Sequence, residues 1–286
     1  LNGLKWFSSA TTSEMALGLA RIEGAPEGSR GLTLFYIPMK NSGGALNGIE
    51  ILRLKDKLGT WALPTAELCL KDTKAHAVGE IPQGIKTVST MLNITRLYNS
   101  ICSVSQMARG LEFLNAYSRE RKAFGLPLAE QPLFRSTAFI EELVYLASFL
   151  LTFKMCELLG KEELKKATEV EQDLLRLFTP VTKLYTAKNA VRVSSEVVEG
   201  FGGAGYIEET GIPTLLRDAQ VFSIWEGATN VLSFDLLRVL EKTTAIKSFV
   251  ADAGRILKLS KSAHVLTLQT RLDHLLAFLD KPLVES

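Results

Sequence analysis

The feature that most constrains this chain is a change of hydrophobic period near Pro82. Beyond it, Val88, Met91, Ile94, Tyr98, Ile101, Val104, Met107, Leu111 and Leu114 recur at spacings of three and four. That spacing gathers them on one face of a single long helix, whose apolar stripe must be covered by other parts of the chain. A second helical pattern opens at Pro132, a residue suited to the first turn because no N–H is needed there, and runs to Leu158-Leu159-Gly160. A third is predicted to break at Thr179-Pro180 and to resume through Leu184, Ala187, Val191, Ser194 and Val198. Four long striped helices imply a bundle, since each stripe needs a neighbour. From Thr243 onward Leu257, Val265, Leu268 and Leu272 continue a helical pattern with no evident partner in that bundle.

Before the change of period the apolar runs are short and bounded by turn residues: Leu4 to Ser9, Glu14 to Arg21, Leu32 to Pro38, Ile49 to Leu54 and Glu67 to Leu70. The clusters Gly24-Ala25-Pro26-Glu27-Gly28 and Asn41-Ser42-Gly43-Gly44 between them are turn chemistry. The expectation is an α+β chain: a small β-barrel or β-sandwich over 1–80, a helical bundle over 81–242, and a helical extension over 243–286 that begins a further unit.

Charge and cysteine usage narrow the function classes. With 33 basic and 31 acidic side chains the formal net charge is +2, too small to produce a field that would gather a polyanion, so DNA binding by this segment is not supported. Cys69, Cys102 and Cys156 are odd in number, lack a metal-like spacing and sit in apolar patterns, which predicts small core residues in a reducing, intracellular compartment. His76, His264 and His274 are scattered, so neither a zinc site nor a hydrolytic triad is implied. No apolar run is read as long enough to span a membrane, and no signal-like start is seen. Because Leu1 is not a methionine and falls inside a strand pattern, the chain reads as part of a longer protein, with any targeting region outside it.

Among polar residues, Glu226 in Trp225-Glu226-Gly227-Ala228 is the candidate with chemistry, a carboxylate between a turn and the start of a helical pattern. Gly200-Phe201-Gly202-Gly203-Ala204-Gly205 satisfies G-x-G-x-x-G, yet it follows a helical period rather than a strand. It is therefore read as a helix C-cap and turn, not a dinucleotide fingerprint, though its bare backbone can lie against a ligand. Lys55-Asp56-Lys57 and Lys161-Glu162-Glu163 are read as solvated surface charge.

Phe201 to Tyr206, Arg121-Lys122-Ala123-Phe124-Gly125 and the Trp225-Glu226-Gly227 loop, in this arrangement, resemble the acyl-CoA dehydrogenase family. The resemblance extends from Asn2 to about Leu240 and implies FAD as cofactor. Asn2 to Ser9 looks like the family's flavin-contacting strand, with Phe7 where an aromatic backs the ring and Ser8 and Ser9 supplying the hydroxyl side. Arg121 and Phe124 look like the pair that reaches the dinucleotide of a neighbouring subunit, joined by Gln131, by Glu199 in place of a glutamine, and by Gly202 and Gly203. Gly227, Ala228, Thr229 and Asn230 continue the flavin-facing loop. Asn93, Thr95 and Arg96 match a substrate-lining helix turn, and Trp225 lies beside the substrate. Gln131-Pro132-Leu133, the Leu54-to-Gly59 stretch and the loop ending in Asn230 look most like the AidB-like, alkylation-response branch, which is tied to DNA in bacteria and to long acyl chains in animals. Trp61 stands where many relatives carry arginine and is left without a role.

The implied reaction is α,β-dehydrogenation of a long-chain acyl-CoA, with Glu226 as the base for the α-proton and the flavin as hydride acceptor. Thr95 holds the position where some relatives place the base. The resemblance further implies a dimer of dimers and electron-transfer flavoprotein as a partner, with a mitochondrial setting among the options. The alternative is a flavoprotein sensor that binds acyl-CoA or nucleic acid with little turnover.

Overall fold

A computed structural model of the protein describes residues 1–279. Six strands come first: β1 (Gly3–Ser9), β2 (Met15–Arg21), β3 (Leu32–Pro38), β4 (Ile49–Leu54), β5 (Thr65–Leu70) and β6 (His76–Val78). They form two three-stranded antiparallel sheets, in the orders β1-β5-β4 and β2-β3-β6. Ile37, Met39, Ile49, Ala66, Leu68 and Leu70 close the space between them. With three residues, β6 is too short to leave a legible alternation.

The helical half contains α1 (Gly84–Glu120), α2 (Pro132–Glu163), α3 (Glu169–Gly200), α4 (Ile212–Phe222), α5 (Thr229–Lys242), α6 (Ala245–Leu259) and α7 (Val265–Leu279), with a two-residue hairpin pair, β7 (Lys122–Ala123) and β8 (Leu126–Pro127), after α1. Val104, Met107, Leu111 and Leu114 of α1 meet Ala190, Val193 and Val197 of α3 and Ala219 of α4 in one core. A fully buried side chain of this kind contributes about 1.5–3 kcal/mol. Toward the start of the stripe, Met91 and Tyr98 stay exposed, so the buried face of α1 is shorter than its apolar pattern.

Among the described residues three helices are long, not four, because the predicted break at Thr179-Pro180 does not occur: α3 runs through Pro180. Pro180 cannot donate to the carbonyl one turn back, but the Thr179 hydroxyl donates to Leu175 O at 2.6 Å and adds a bond at the weakened turn. Both halves of α3 are packed, through Leu174 and Leu177 on one side of the proline and Ala190 and Val193 on the other. At its start Thr168 and Glu171 form a reciprocal capping box. The shorter α4, α5 and α6 cover the remaining flank of α3. Of the segment expected to lack a partner in the bundle, α6 is packed on α3, with Phe249 meeting Phe178 edge-on at 5.1 Å, whereas α7 lies against α6 and residues 280–286 fall outside the described residues.

Three further expectations are corrected. α2 is long and apolar enough to pass as a membrane span by length and composition, and only 22% of that window is buried. Its exposed Phe139, Ile140, Leu143, Leu146, Leu150 and Phe153 make an uncovered apolar face beside a flank packed on α1 and α3. Cys102 is exposed, not a core residue; all three cysteines are free. Lys55 and Lys57 are not solvated: Lys55 pairs with Glu67 at 2.6 Å and lies 3.6 Å over the Trp6 ring, while Lys57 donates to Thr60 O and Leu63 O at 2.7 and 2.6 Å. Lys57 thereby ties together a loop whose carbonyls would otherwise be unmatched.

That loop joins the two halves. Thr60 N–H donates to Asp218 Oδ1 at 2.6 Å, and Gly59 lies so close to the Arg217 carbonyl that a Cβ would sit 2.7 Å from it. Trp61 gains its role here, with the Arg217 guanidinium 4.8 Å from its ring centroid.

Candidate active site

The chain between α4 and α5 turns sharply, with Glu226 at φ 58 and Gly227 at φ 110. A non-glycine residue in the left-handed region is disfavoured by about 1–2 kcal/mol, so the conformation has to be held from outside. Three helices do this. From α1, Thr95 Oγ1 donates to Glu226 Oε2 at 2.7 Å, and Arg96 Nε donates to Glu226 O at 3.2 Å. From α3, Lys183 Nζ donates to Gly227 O at 2.7 Å. From α5, Asp235 accepts from Arg96 at 2.6 Å and from Arg176 at 2.8 Å. Burial pushes the Asp235 carboxyl up, but the bonds from Arg176 and Arg96 outweigh it and hold the group below its ordinary value.

Lys183 has no exposed surface. Burial pulls its ammonium down to about 8, a shift resisted by the nearby Glu226 charge and helped by Arg96 and Lys188. The result is a half-buried carboxylate that accepts from Thr95, on a turn whose backbone carbonyls are held by Arg96 and Lys183. A carboxylate so held can accept a proton from a carbon acid placed beside it.

Thr95, Arg96, Glu226 and Gly227 are therefore brought together as the sequence suggested, and Asn93 lies one turn from them on α1. Trp225 lines a neighbouring cleft of about 410 Å³ that also includes Phe7, Lys55, Gly59, Thr60 and Ile224. Two aromatic residues from opposite halves of the molecule give it walls suited to a flat ring. Ser9 Oγ is 3.0 Å from Thr65 Oγ1, and Ser8 precedes it on the same strand. Ala228 caps α5 through its backbone, accepting from Leu232 N–H at 3.1 Å, and Thr229 and Asn230 form the first turn.

The other predicted residues lie elsewhere. Arg121 is 26 positions beyond Thr95, so the α1 rise separates them by about 40 Å. At that end a cavity of about 650 Å³ is lined by Tyr117, Arg121, Glu141, Glu199, Gly202 and Gly203. Phe124 is fully exposed at φ 52 in the β7–β8 turn, and Gln131 Nε2 donates to Ala123 O at 2.8 Å, supporting that turn. Gly200 to Gly205 end α3 as a C-cap: Phe201 N–H reaches Val197 O at 3.2 Å, and a Cβ on Gly205 would lie 2.0 Å from Val198 O.

These surfaces suit a flavin dinucleotide. The glycine turn leaves backbone open, Arg121 offers a cation, and Glu141 lines the cavity with one carboxylate oxygen buried and unpartnered, an acceptor for a hydroxyl or amino group. Glu141 Oε1 is already matched by Arg192 at 2.6 Å.

Sequence reading did not single out Lys183, Arg176 or Asp235. For Lys183 a signal existed: a lysine among Thr179, Thr182, Thr186 and Ala187 falls on the inward face once α3 is taken as continuous.

Comparison with known proteins places the fold in a family. The family model described as acyl-CoA dehydrogenase, C-terminal domain, matches residues 82–240. The chain is 50% identical over 243 residues to acyl-CoA dehydrogenase family member 11 of Caenorhabditis elegans, covering 84% of this chain and 39% of that protein. It is 32% identical over 253 residues to putative acyl-CoA dehydrogenase AidB of Escherichia coli, covering 88% and 45%. The crystal structure of Caenorhabditis elegans ACDH-11 in complex with C11-CoA superposes with a TM-score of 0.89 at 46% identity, covering 91% of this chain and 45% of that one. The chain thus spans about two-fifths of the length of these curated relatives.

Proposed function

Because this chain belongs to the acyl-CoA dehydrogenase family, we propose that the whole protein carries out FAD-dependent α,β-dehydrogenation of a long-chain acyl-CoA. The observation that carries the reading is the Glu226 carboxylate fixed on a left-handed turn by donors from α1 and α3. Glu226 takes the α-proton of the thioester. Thr95 orients the accepting oxygen pair, and the open N–H groups at the start of α5 stand near where charge develops on the thioester oxygen. Trp225 and Phe7 exclude water from the cleft between the two halves. When bound, FAD supplies the hydride acceptor for the β-carbon. The similarity to a protein solved with C11-CoA supports an acyl-CoA as substrate.

The second cavity supports an oligomer. A single dinucleotide cannot reach across the separation along α1, so Arg121, Phe124, Glu199 and Gly203 suit a cofactor held by a neighbouring subunit. The outward apolar face of α2 suits the contact between subunits.

The test is anaerobic stopped-flow reduction of the full-length, flavin-loaded protein by a long-chain acyl-CoA. Wild type should bleach and Glu226→Gln should not, while ligand affinity stays nearly unchanged. Equal bleaching by the variant would remove Glu226 as the base. Binding without bleaching in wild type would leave the sensor reading.

A further inference from the structure

Lys183 is the largest side chain in the protein with no contact to solvent among the described residues. A buried lysine is a strange choice for a helix core position, where methionine or leucine would fill the same space without desolvating a charge. Its neighbours on α3 do not account for it: the Thr179 and Thr186 hydroxyls donate to carbonyls of their own helix, at Leu175 and Thr182. The only hydrogen bond the Lys183 ammonium makes among the described residues goes to Gly227 O. The preceding carbonyl, Glu226 O, is held by Arg96. Two consecutive carbonyls of one strained turn are therefore gripped by two cations from two different helices, and the residue inside the turn is Glu226.

We propose that Lys183 is a positioning residue of the reaction, its ammonium fixing the Gly227 carbonyl so that the turn presents the Glu226 carboxylate to the α-carbon of the substrate. The proposal rests on the assignment of Glu226 as the base, and it adds a residue on α3 that touches neither substrate nor cofactor. The charged groups facing Lys183 are Glu226 from the turn, Arg96 from α1 and Lys188 from its own helix, with Asp235 of α5 balancing Arg96. Because burial brings the ammonium down to about 8, its charge is lost on the alkaline side of neutrality, and the grip weakens there.

The experiment uses the full-length protein with Lys183→Met, Lys183→Gln and wild type. Lys183→Met should slow the reductive step about 100-fold, the loss that follows a small misplacement of a reacting group. Substrate affinity from the same traces should stay within about threefold and the melting temperature should not fall, because methionine fills the space without a buried charge. In the flavin-free protein, amide hydrogen exchange over residues 223–228 should quicken while α1 and α3 stay protected. The wild-type reductive rate should decline above pH 8, and that decline should be absent in Lys183→Met. Lys183→Gln keeps a donor without the charge and should recover part of the rate; if the methionine variant does not fold, this variant carries the same exchange and pH readouts. Unchanged exchange in the turn with near wild-type reduction would overturn the proposal. So would slower reduction accompanied by a lower melting temperature and loss of protection throughout α3, since that pattern is a packing defect. If Glu226→Gln reduces flavin normally, the base assignment fails, yet exchange in the flavin-free chain still decides whether Lys183 holds the turn.

Discussion

Thr95 and Glu226, 131 positions apart, are joined by a single hydrogen bond of 2.7 Å, so α1, the longest helix among the described residues, reaches the side chain in the turn before α5 through one hydroxyl, while Arg96 holds the backbone of the same residue. Thr95 Oγ1 also lies 3.1 Å from Met91 O and from Leu92 O, but it has one hydrogen to give, and the carboxylate is the strongest acceptor of the three. Thr95→Ala should lower the rate of flavin reduction by about 10-fold, the size of one hydrogen bond to a charged group, and Thr95→Ser should restore most of it. A loss in Thr95→Ala as complete as that in Glu226→Gln, read by stopped flow, would count against the hydroxyl as an orienting group only.

Asp235 offers a stability test. Removing it leaves the Arg96 guanidinium, largely enclosed, without its partner, and Asp235→Ala should lower unfolding free energy by about 3 kcal/mol in urea titrations at neutral pH. The folded carboxyl is held below its ordinary value, so its contribution is present above the unfolded pKa and is lost as pH falls through the folded one. The difference between wild type and variant should therefore shrink in acid. A difference that holds constant down to pH 2 would contradict this account of Asp235.

For Lys183 the sign runs the other way. Burial holds the folded ammonium down to about 8, whereas the unfolded one keeps its ordinary value of 10.5, so the unfolded chain binds more protons between those limits. Stability should rise with pH across that window, as a penalty of about 3 kcal/mol present below pH 8 is relieved. The advantage of Lys183→Met in denaturant midpoint at pH 7 should accordingly narrow toward pH 10.5. An advantage that grows with pH would contradict the burial argument.

Arg121 is exposed at the glycine-turn cavity and carries none of the core packing of α1. Arg121→Ala should release flavin during gel filtration of the full-length protein while far-ultraviolet circular dichroism stays unchanged. Full flavin retention would separate Arg121 from the cofactor.

The apolar face of α2 gives a last test. Phe153→Glu, with Leu150→Glu beside it, should shift the full-length protein to smaller assemblies in analytical ultracentrifugation, since two buried charges without partners oppose a dry contact. An unchanged sedimentation coefficient would place the contact on another surface.

Much of this was legible before any coordinates. The strands β1 to β5 were found because turn residues bracket them, and α1 because its stripe persists for many turns. The turn around Glu226 was found from its neighbours in sequence order. What escaped shares a physical cause. A local rule predicts a break at Pro180 because it knows nothing of the packing that carries α3 through it, and a broken helix conceals the inward face on which Lys183 lies. Arg176 and Asp235 matter only as partners across α3 and α5, a relation no local period encodes. Lys57 looked like surface charge until the carbonyls of its own loop were seen to converge on it.

The loop from Lys57 to Leu63 does more than dock the β-sheets. It grips Asp218 and Arg217, and α4 ends at Phe222, leaving three residues before Glu226. In the proposed reaction the proton would leave toward Glu226 in the helical half and the hydride toward a flavin beside Phe7 of the β-half. The covalent path from the latch at Asp218 to the proposed base is therefore eight residues long, half of it helix and half turn, and the two halves of that reaction would share one ruler. A substitution at Gly59 or Trp61, remote from every reacting atom, would change the calibration of that ruler before it disturbed the chemistry at either end.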